Sequence, residues 1–375
     1  MAKKRTSRSS ARAPEHFRQR VKNLQQRLQD SSAGALLVTN PRDIRYLTGF
    51  LGDDSWALVR QNAGKVDILS DFRFEQEIQR EAPHARAVIR KKGLVEELAR
   101  LLDRTKIEKI GLQEDHVSVA LRKKLVKQLG ARRLAELDDG LLEQRSVKDE
   151  PELKLIRRAL RIQEQAFEET LEFIEPGRTE QEVAAYLEYR MRVLGADGPS
   201  FHTIVAADAS ASLPHAVPGK KKIRKGSTVL IDWGARYQGY CSDLTRVVGV
   251  GAMKAKVRET YQIVLDAQQA AIDAVEPGRP LAEIDGVARD IIRKAGYGKQ
   301  FGHSLGHGIG LDVHEQPTLS PRSEGELRPG QVVTVEPGIY LPGVGGVRIE
   351  DDVLVTEKGC RVLSRLPKGL ESAMI

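Results

Sequence analysis

Four acidic residues stand where a carboxylate is costly to keep. Asp232 closes the apolar run Val229-Leu230-Ile231, and Glu336 closes Val332-Val333-Thr334-Val335. Asp243 follows Asp232 by 11 positions, and Glu350 follows Glu336 by 14. A turn around residues 236–240 would fold the first pair into a hairpin with its carboxylates opposite one another. The stretch Pro342-Gly343-Val344-Gly345-Gly346 would do the same for the second pair. Four carboxylates drawn together repel and cannot all stay ionised without cations. Burying them unpaired is prohibitive. Either several are protonated, or metal ions sit among them.

His303, His307 and His314 lie in one glycine-rich stretch. An i,i+4 histidine pair invites the zinc-helix pattern H-E-x-x-H. No Glu follows His303, however, and the glycines at 302, 306, 308 and 310 are poor helix formers. As an extended strand, His303, Leu305, His307, Ile309 and Leu311 share one face, with mostly glycine on the other. Such a face lets another backbone or a substrate come close. Four carboxylates plus one imidazole suit two divalent ions such as Mn, Co, Fe or Zn. The absence of a thiolate partner argues against structural zinc. Paired ions would support metal-assisted hydrolysis.

An internal repeat positions these groups. Glu175-Pro176-Gly177-Arg178 recurs 101 residues later as Glu276-Pro277-Gly278-Arg279. Each copy lies between two amphipathic helix patterns, the second ending at Gly195 or Gly296. Gly226 to Gly234 then matches Gly330 to Gly338 at an offset of 104, and Asp243 matches Glu350 at 107. Each half reads helix, Pro-Gly turn, helix, strands, and contributes two carboxylates at equivalent places. Two such halves are expected to pack about a pseudo-two-fold axis, with the acids facing one another across it.

The rest of the chain bounds the possibilities. With 375 residues, 40% hydrophobic and 30% charged, it has the balance of a globular protein with a real core. Residues 14–148 alternate helical and strand patterns, an α/β domain with no phosphate-binding glycine loop and no catalytic cluster. Within it Asn40-Pro41 reads as a turn. Asp149 as an N-cap and Pro151 in a first turn open the second domain, residues 149–375. The net charge of +8 invites a nucleic-acid reading. Yet residues 1–12 carry five basic residues and no acid, while residues 150–375 carry 29 basic and 31 acidic. The excess marks a basic tail, residues 1–13, expected to be disordered and capable at most of weak polyanion contact. No specific nucleic-acid partner and no membrane partner are expected, since no run approaches 18 apolar residues. Two cysteines cannot build a disulfide framework, which points to a reducing, cytoplasmic compartment.

Together these segments resemble the aminopeptidase P/prolidase branch of the creatinase-like metallopeptidases. The carriers are VLIDWGARYQGYCSDLTRV at 229–247, GHSLGHGIGLDVHE at 302–315, VTVEPGIY at 333–340 and VRIEDDVLVTE at 347–357. Residues 35–50 are similar to that family's first domain. The resemblance implies a creatinase-like α/β N-terminal domain followed by an α/β (α+β) catalytic domain of the pseudo-two-fold "pita-bread" type. It implies two divalent metal ions, manganese first, with cobalt, zinc or iron as alternatives. Asp232 would chelate one ion, Asp243 and Glu350 would bridge both, and His307 and Glu336 would complete the set around the second. Glu336 would also shuttle a proton to the leaving amine. His303 and His314 would contact the scissile carbonyl or its tetrahedral intermediate. His215 would hold the proline side of the substrate, with Tyr340 and Arg348 as supports. Val247 and Gly302 depart from the family's commoner Thr and Ser, and neither is a ligand position.

The activity implied is that of an Xaa-Pro aminopeptidase acting on small proline-containing peptides, with an Xaa-Pro dipeptidase (prolidase) as the alternative. A methionine-aminopeptidase-like enzyme shares the catalytic fold but does not require the large first domain. A creatinase-type enzyme works without metals, and a non-catalytic scaffold would be expected to have lost ligands, whereas all five are present. The resemblance also implies a homodimer. Trp56 is either a residue that reaches a neighbour's active site or an ordinary core or surface tryptophan.

Overall fold

The computed structural model describes residues 13–138 and 140–375. The basic tail expected at residues 1–13 lies outside the described residues apart from Ala13. The chain divides into two compact units, residues 1–144 and 145–375. No helix among the described residues is long and apolar enough to cross a membrane.

In the first unit, six strands form one mixed sheet in the order Arg86–Ile89, Asp67–Ser70, Trp56–Arg60, Ala35–Val38, Ile110–Gln113, Leu134–Leu137. Trp56–Arg60 runs antiparallel to both neighbours, and the other pairs are parallel. Leu37, Leu58, Leu69 and Leu112 pack with Leu98, Leu102 and Leu125 of two covering helices, and Trp56 lies against this same core. Trp56 is therefore part of its own unit's packing. Asn40-Pro41 opens a helix, Pro41–Thr48, where a turn was expected. The Asn40 side chain accepts the Arg42 N–H at 3.0 Å, and Pro41 occupies a first-turn position that needs no N–H.

The second unit is built twice over. The helix Glu150–Leu171 starts at a capping box in which Asp149 and Glu152 exchange side-chain to backbone bonds, and Thr179 and Glu182 start Glu180–Val193 the same way. The later half supplies Ala255–Asp273 and Leu281–Lys294. Backbone bonds repeat with the sequence. Gly177 N donates to Ile223 O at 2.9 Å and Gly278 N to Leu327 O at 2.8 Å. Ile223 N donates to Arg178 O at 2.8 Å and Leu327 N to Arg279 O at 3.0 Å. Gly177 and Gly278 both hold positive φ, 108° and 80°, which explains why each Pro-Gly turn needs its glycine.

Two antiparallel sheets carry the acids. Thr228–Trp233 lies between Ile204–Ala207 and Leu244–Gly249, and Val332–Val335 lies between Gly306–Gly308 and Asp351–Thr356. Apolar strand residues Leu230, Val247, Val333 and Val353 join Val264, Ile284 and Ile292 from the later helices in one buried cluster. Gln238 and Gly239, at φ of 46° and 83°, make the two-residue turn of the first hairpin. Its register places Thr245, not Asp243, opposite Asp232, because the turn is centred between Gln238 and Gly239. Asp243 is thus a diagonal neighbour of Asp232, still within reach.

The histidine stretch is only partly a strand. Gly306–Gly308 pairs as expected, and a Cβ on Gly306 would lie 1.9 Å from Thr334 O, so the bare face admits a neighbouring backbone. Residues 301–305 are irregular, so His303 is not on the strand that carries His307.

Candidate metal centre

Strand ends deliver the ligand candidates. Asp232 sits near the end of Thr228–Trp233 and Glu336 just past Val332–Val335. Asp243 and Glu350 immediately precede Leu244–Gly249 and Asp351–Thr356, and His307 is the centre of Gly306–Gly308. One atom each from Asp243, His307 and Glu350 lie within 4.8 Å of one another, a spacing suited to a metal ion. His307 Nε2 is 3.2 Å from Glu336 Oε1 and 3.8 Å from Asp243 Oδ2. Its Nδ1 lies 3.0 Å from Gly308 O. A carbonyl only accepts, so Nδ1 carries a hydrogen and Nε2 is the nitrogen turned to the acids, where Glu336 favours the charged ring. Asp232 is joined by Arg348, whose Nη2 donates to Asp232 Oδ2 at 2.5 Å.

Electrostatics identify the kind of ligand the cluster suits. Burial, then Glu350 and Asp232, pushes the Asp243 carboxyl well above the usual range. Burial, then Glu336 and Asp232, does the same for Glu350. Burial also raises Asp232 despite Arg348. Burial alone would raise Glu336, but the His307 hydrogen bond and charge hold it down at about 2. Asp232 Oδ1, Asp243 Oδ1 and Glu350 Oε1 are buried without a hydrogen-bond partner. Buried carboxylate oxygens of this kind call for cations, and an oxygen-rich set with one imidazole fits hard-to-borderline divalent ions.

The remaining predicted residues surround this cluster. Arg348 is 4% exposed and bonds at once to Asp232, to Thr245 Oγ1 at 3.1 Å and to Tyr340 Oη at 2.7 Å. Tyr340 Oη lies 2.8 Å from His303 Nε2, and His303 Nδ1 lies 2.7 Å from Ser304 O. A directed chain results, Arg348 to Tyr340 to His303. Burial lowers the His303 pKa, so the ring is neutral at pH 7. The exposed His314 packs edge-on against His307 at 4.3 Å between centroids. His215 is exposed, on the loop whose Pro214 O accepts from Arg348 Nη1 at 3.4 Å, and it acts electrostatically on both Asp232 and His314.

Three contributors escaped the sequence reading. Thr245 Oγ1 donates to Glu350 Oε2 at 2.7 Å, and Asp352 Oδ2 accepts the Asp243 N–H at 3.3 Å. Thr334 Oγ1 accepts the His307 N–H at 3.0 Å and donates to Glu336 Oε1 at 3.2 Å. The only available signal was position, each lying two residues from an acid.

A fold of two equivalent halves with carboxylates and one imidazole gathered between their strands defines a metal-dependent hydrolase. Residues 154–357 match the model of metallopeptidase family M24, and residues 20–147 match the creatinase/prolidase N-terminal domain. The chain belongs to family M24 and is a metallopeptidase. It is 43% identical over 264 residues to an Xaa-Pro dipeptidase of Pyrococcus horikoshii, covering 70% of this chain and 75% of that one. A solved Xaa-Pro dipeptidase from Bacillus anthracis is 37% identical with a TM-score of 0.90, over 96% of this chain and 100% of that one. A solved X-Pro aminopeptidase from Thermotoga maritima is 39% identical with a TM-score of 0.86, over 92% and 99%.

Proposed function

We propose that this metallopeptidase is a dinuclear Xaa-Pro dipeptidase, with Asp232, Asp243, His307, Glu336 and Glu350 holding two divalent ions, manganese first. This reverses the order of activities expected from the sequence, where the aminopeptidase came first. Two of the three relatives named above are dipeptidases, including the one at 43% identity. The observation that carries the metal assignment is the set of buried, unpartnered oxygens on Asp232, Asp243 and Glu350. A cytoplasmic homodimer acting on small peptides is part of the same proposal, and the unpaired Cys241 and Cys360 accord with a reducing compartment.

Bound ions would supply Lewis acidity and water activated at neutral pH. The protein groups do the rest. The bond before proline is a tertiary amide whose nitrogen has no N–H, so the leaving group must receive a proton. Glu336, kept ionised beside His307, takes a proton and passes it to that nitrogen. His303 and His314 flank the cluster and are assigned to the scissile carbonyl and its tetrahedral intermediate. Arg348 is committed to Asp232, Thr245 and Tyr340, so its role is to hold Asp232 and the Tyr340–His303 pair in place. His215, on the exposed rim, is assigned to the proline side of the substrate.

The Thermotoga X-Pro aminopeptidase supports a second reading at similar identity. Comparing Ala-Pro with Ala-Pro-Ala on manganese-loaded enzyme separates the two. Cleavage of the dipeptide alone is expected. Release of alanine from both at similar kcat/KM would establish the aminopeptidase instead.

A further inference from the structure

A second ion pair, apart from the carboxylate cluster, grips the segment that carries His303. Asp285 is fully buried on the helix Leu281–Lys294 and takes two bonds from Arg289, Nε to Oδ2 at 2.7 Å and Nη2 to Oδ1 at 2.8 Å. Arg289 also donates Nη1 to Phe301 O at 3.0 Å and Nη2 to His303 O at 2.9 Å. Its guanidinium stands 4.2 Å from the Phe301 ring centroid. Asp285 Oδ1 accepts the Leu305 N–H at 3.1 Å, and Leu305 O accepts the Glu336 N–H at 2.8 Å.

Residues 301–305 form neither helix nor strand, yet Phe301 and Leu305 are buried. Their backbone groups therefore need partners from elsewhere, and one acid with one guanidinium supplies three. Exposed i,i+4 pairs on helices add little. This pair differs because its acid is buried and both partners reach into a neighbouring loop. The equivalent positions of the earlier half, 101 residues back, are Ala184 and Glu188, which cannot form such a pair. The device is thus no requirement of the repeated scaffold and occurs in the half that carries His303, His307 and His314.

We propose that Asp285 and Arg289 are positioning residues for the peptidase reaction, Arg289 fixing His303 and Asp285, through Leu305, the backbone of Glu336. The inference rests on the roles of His303 and Glu336 given above. Arg289 retains 26% side-chain exposure, so its replacement leaves the core filled. Arg289→Met and Arg289→Lys are both expected to lower kcat about 10–100-fold with little change in KM, the lysine failing because it lacks the planar fork. In a double-mutant cycle, adding Arg289→Met to His303→Ala is expected to cost less than about threefold further, because both act through one imidazole. Amide exchange in residues 301–306 should accelerate in Arg289→Met and in Asp285→Asn, while residues 228–233 stay unchanged. Multiplicative losses in the cycle, or unchanged exchange in 301–306, would overturn the proposal. If His303→Ala turns over like the parent enzyme, the role of His303 falls, and exchange alone then decides the clamp, acceleration supporting it and no change overturning it.

Discussion

Thr245 and Asp352 stand at equivalent places in the two halves, 107 residues apart, and each reaches the acid of the opposite half. Thr245 donates to Glu350 at 2.7 Å, and Asp352 accepts from the Asp243 backbone at 3.3 Å. Each half therefore orients a ligand candidate of the other. Thr245→Val keeps the volume and removes the hydroxyl. It is expected to weaken divalent-metal affinity by about 10–100-fold with the fold intact. Calorimetric titration with Mn²⁺ reads this directly, and parental affinity would remove Thr245 from the ligand support.

Tyr340 joins Arg348 to His303 through one hydroxyl. Tyr340→Phe would leave a buried donor and a ring nitrogen without their partner, a cost of about 1–3 kcal/mol. The expected outcome is a fall in kcat of about tenfold or more, with metal content unchanged. Parental kcat on Ala-Pro would show that the chain from Arg348 to His303 does not serve the reaction.

The carboxyl cluster makes a pH prediction. Burial and mutual repulsion raise Asp243 and Glu350 well above the usual range, and burial lifts Asp352 to about 8. A carboxyl raised in the folded state favours the protonated form. Its contribution is therefore complete below the unfolded value, about 4, and is lost as pH rises through the folded value. Divalent ions would replace the protons on Asp243 and Glu350, so their binding should release protons and tighten by about tenfold per pH unit for each proton displaced. The gain in Tm from Mn²⁺ should accordingly be larger at pH 8 than at pH 6. Equal gains at both would contradict the raised values.

Packing gives a prediction that needs no metal. Gly306 faces Thr334 O so closely that a Cβ would sit 1.9 Å away. Gly306→Ala is expected to destabilise the unit by about 1–3 kcal/mol or more through backbone displacement. It should also shift His307, its chain neighbour. An unchanged urea midpoint would show that the two strands have room to part.

Much of this architecture could be read from residue order because it rests on repetition and on alternating apolar patterns. The Glu-Pro-Gly-Arg duplication exposed the two halves, apolar runs ending in acids exposed Asp232 and Glu336, and the matching acids after them, Asp243 and Glu350, completed four ligand candidates. What escaped depends on register and long-range pairing. The offset that sets Asp232 opposite Thr245 follows from the Gln238-Gly239 turn, a two-residue choice that a broad 236–240 window leaves open. The irregular path of 301–305 is held by Asp285 and Arg289, which sit on the preceding helix and bond to Phe301, His303 and Leu305. Nothing within 301–305 itself signals those partners, so alternation alone extended the strand too far back. Asn40-Pro41 misled because the same dipeptide suits a turn and a capped helix start, and packing of Ile44 and Leu47 decided between them.

The most direct measurement counts metal and turnover together. The purified chain is loaded with Mn²⁺, dialysed, and assayed on Ala-Pro with and without a chelator. Two divalent ions per chain and dipeptide hydrolysis that the chelator abolishes and Mn²⁺ restores are the expected result. A chain that retains no divalent ion and cleaves no Xaa-Pro peptide would contradict it.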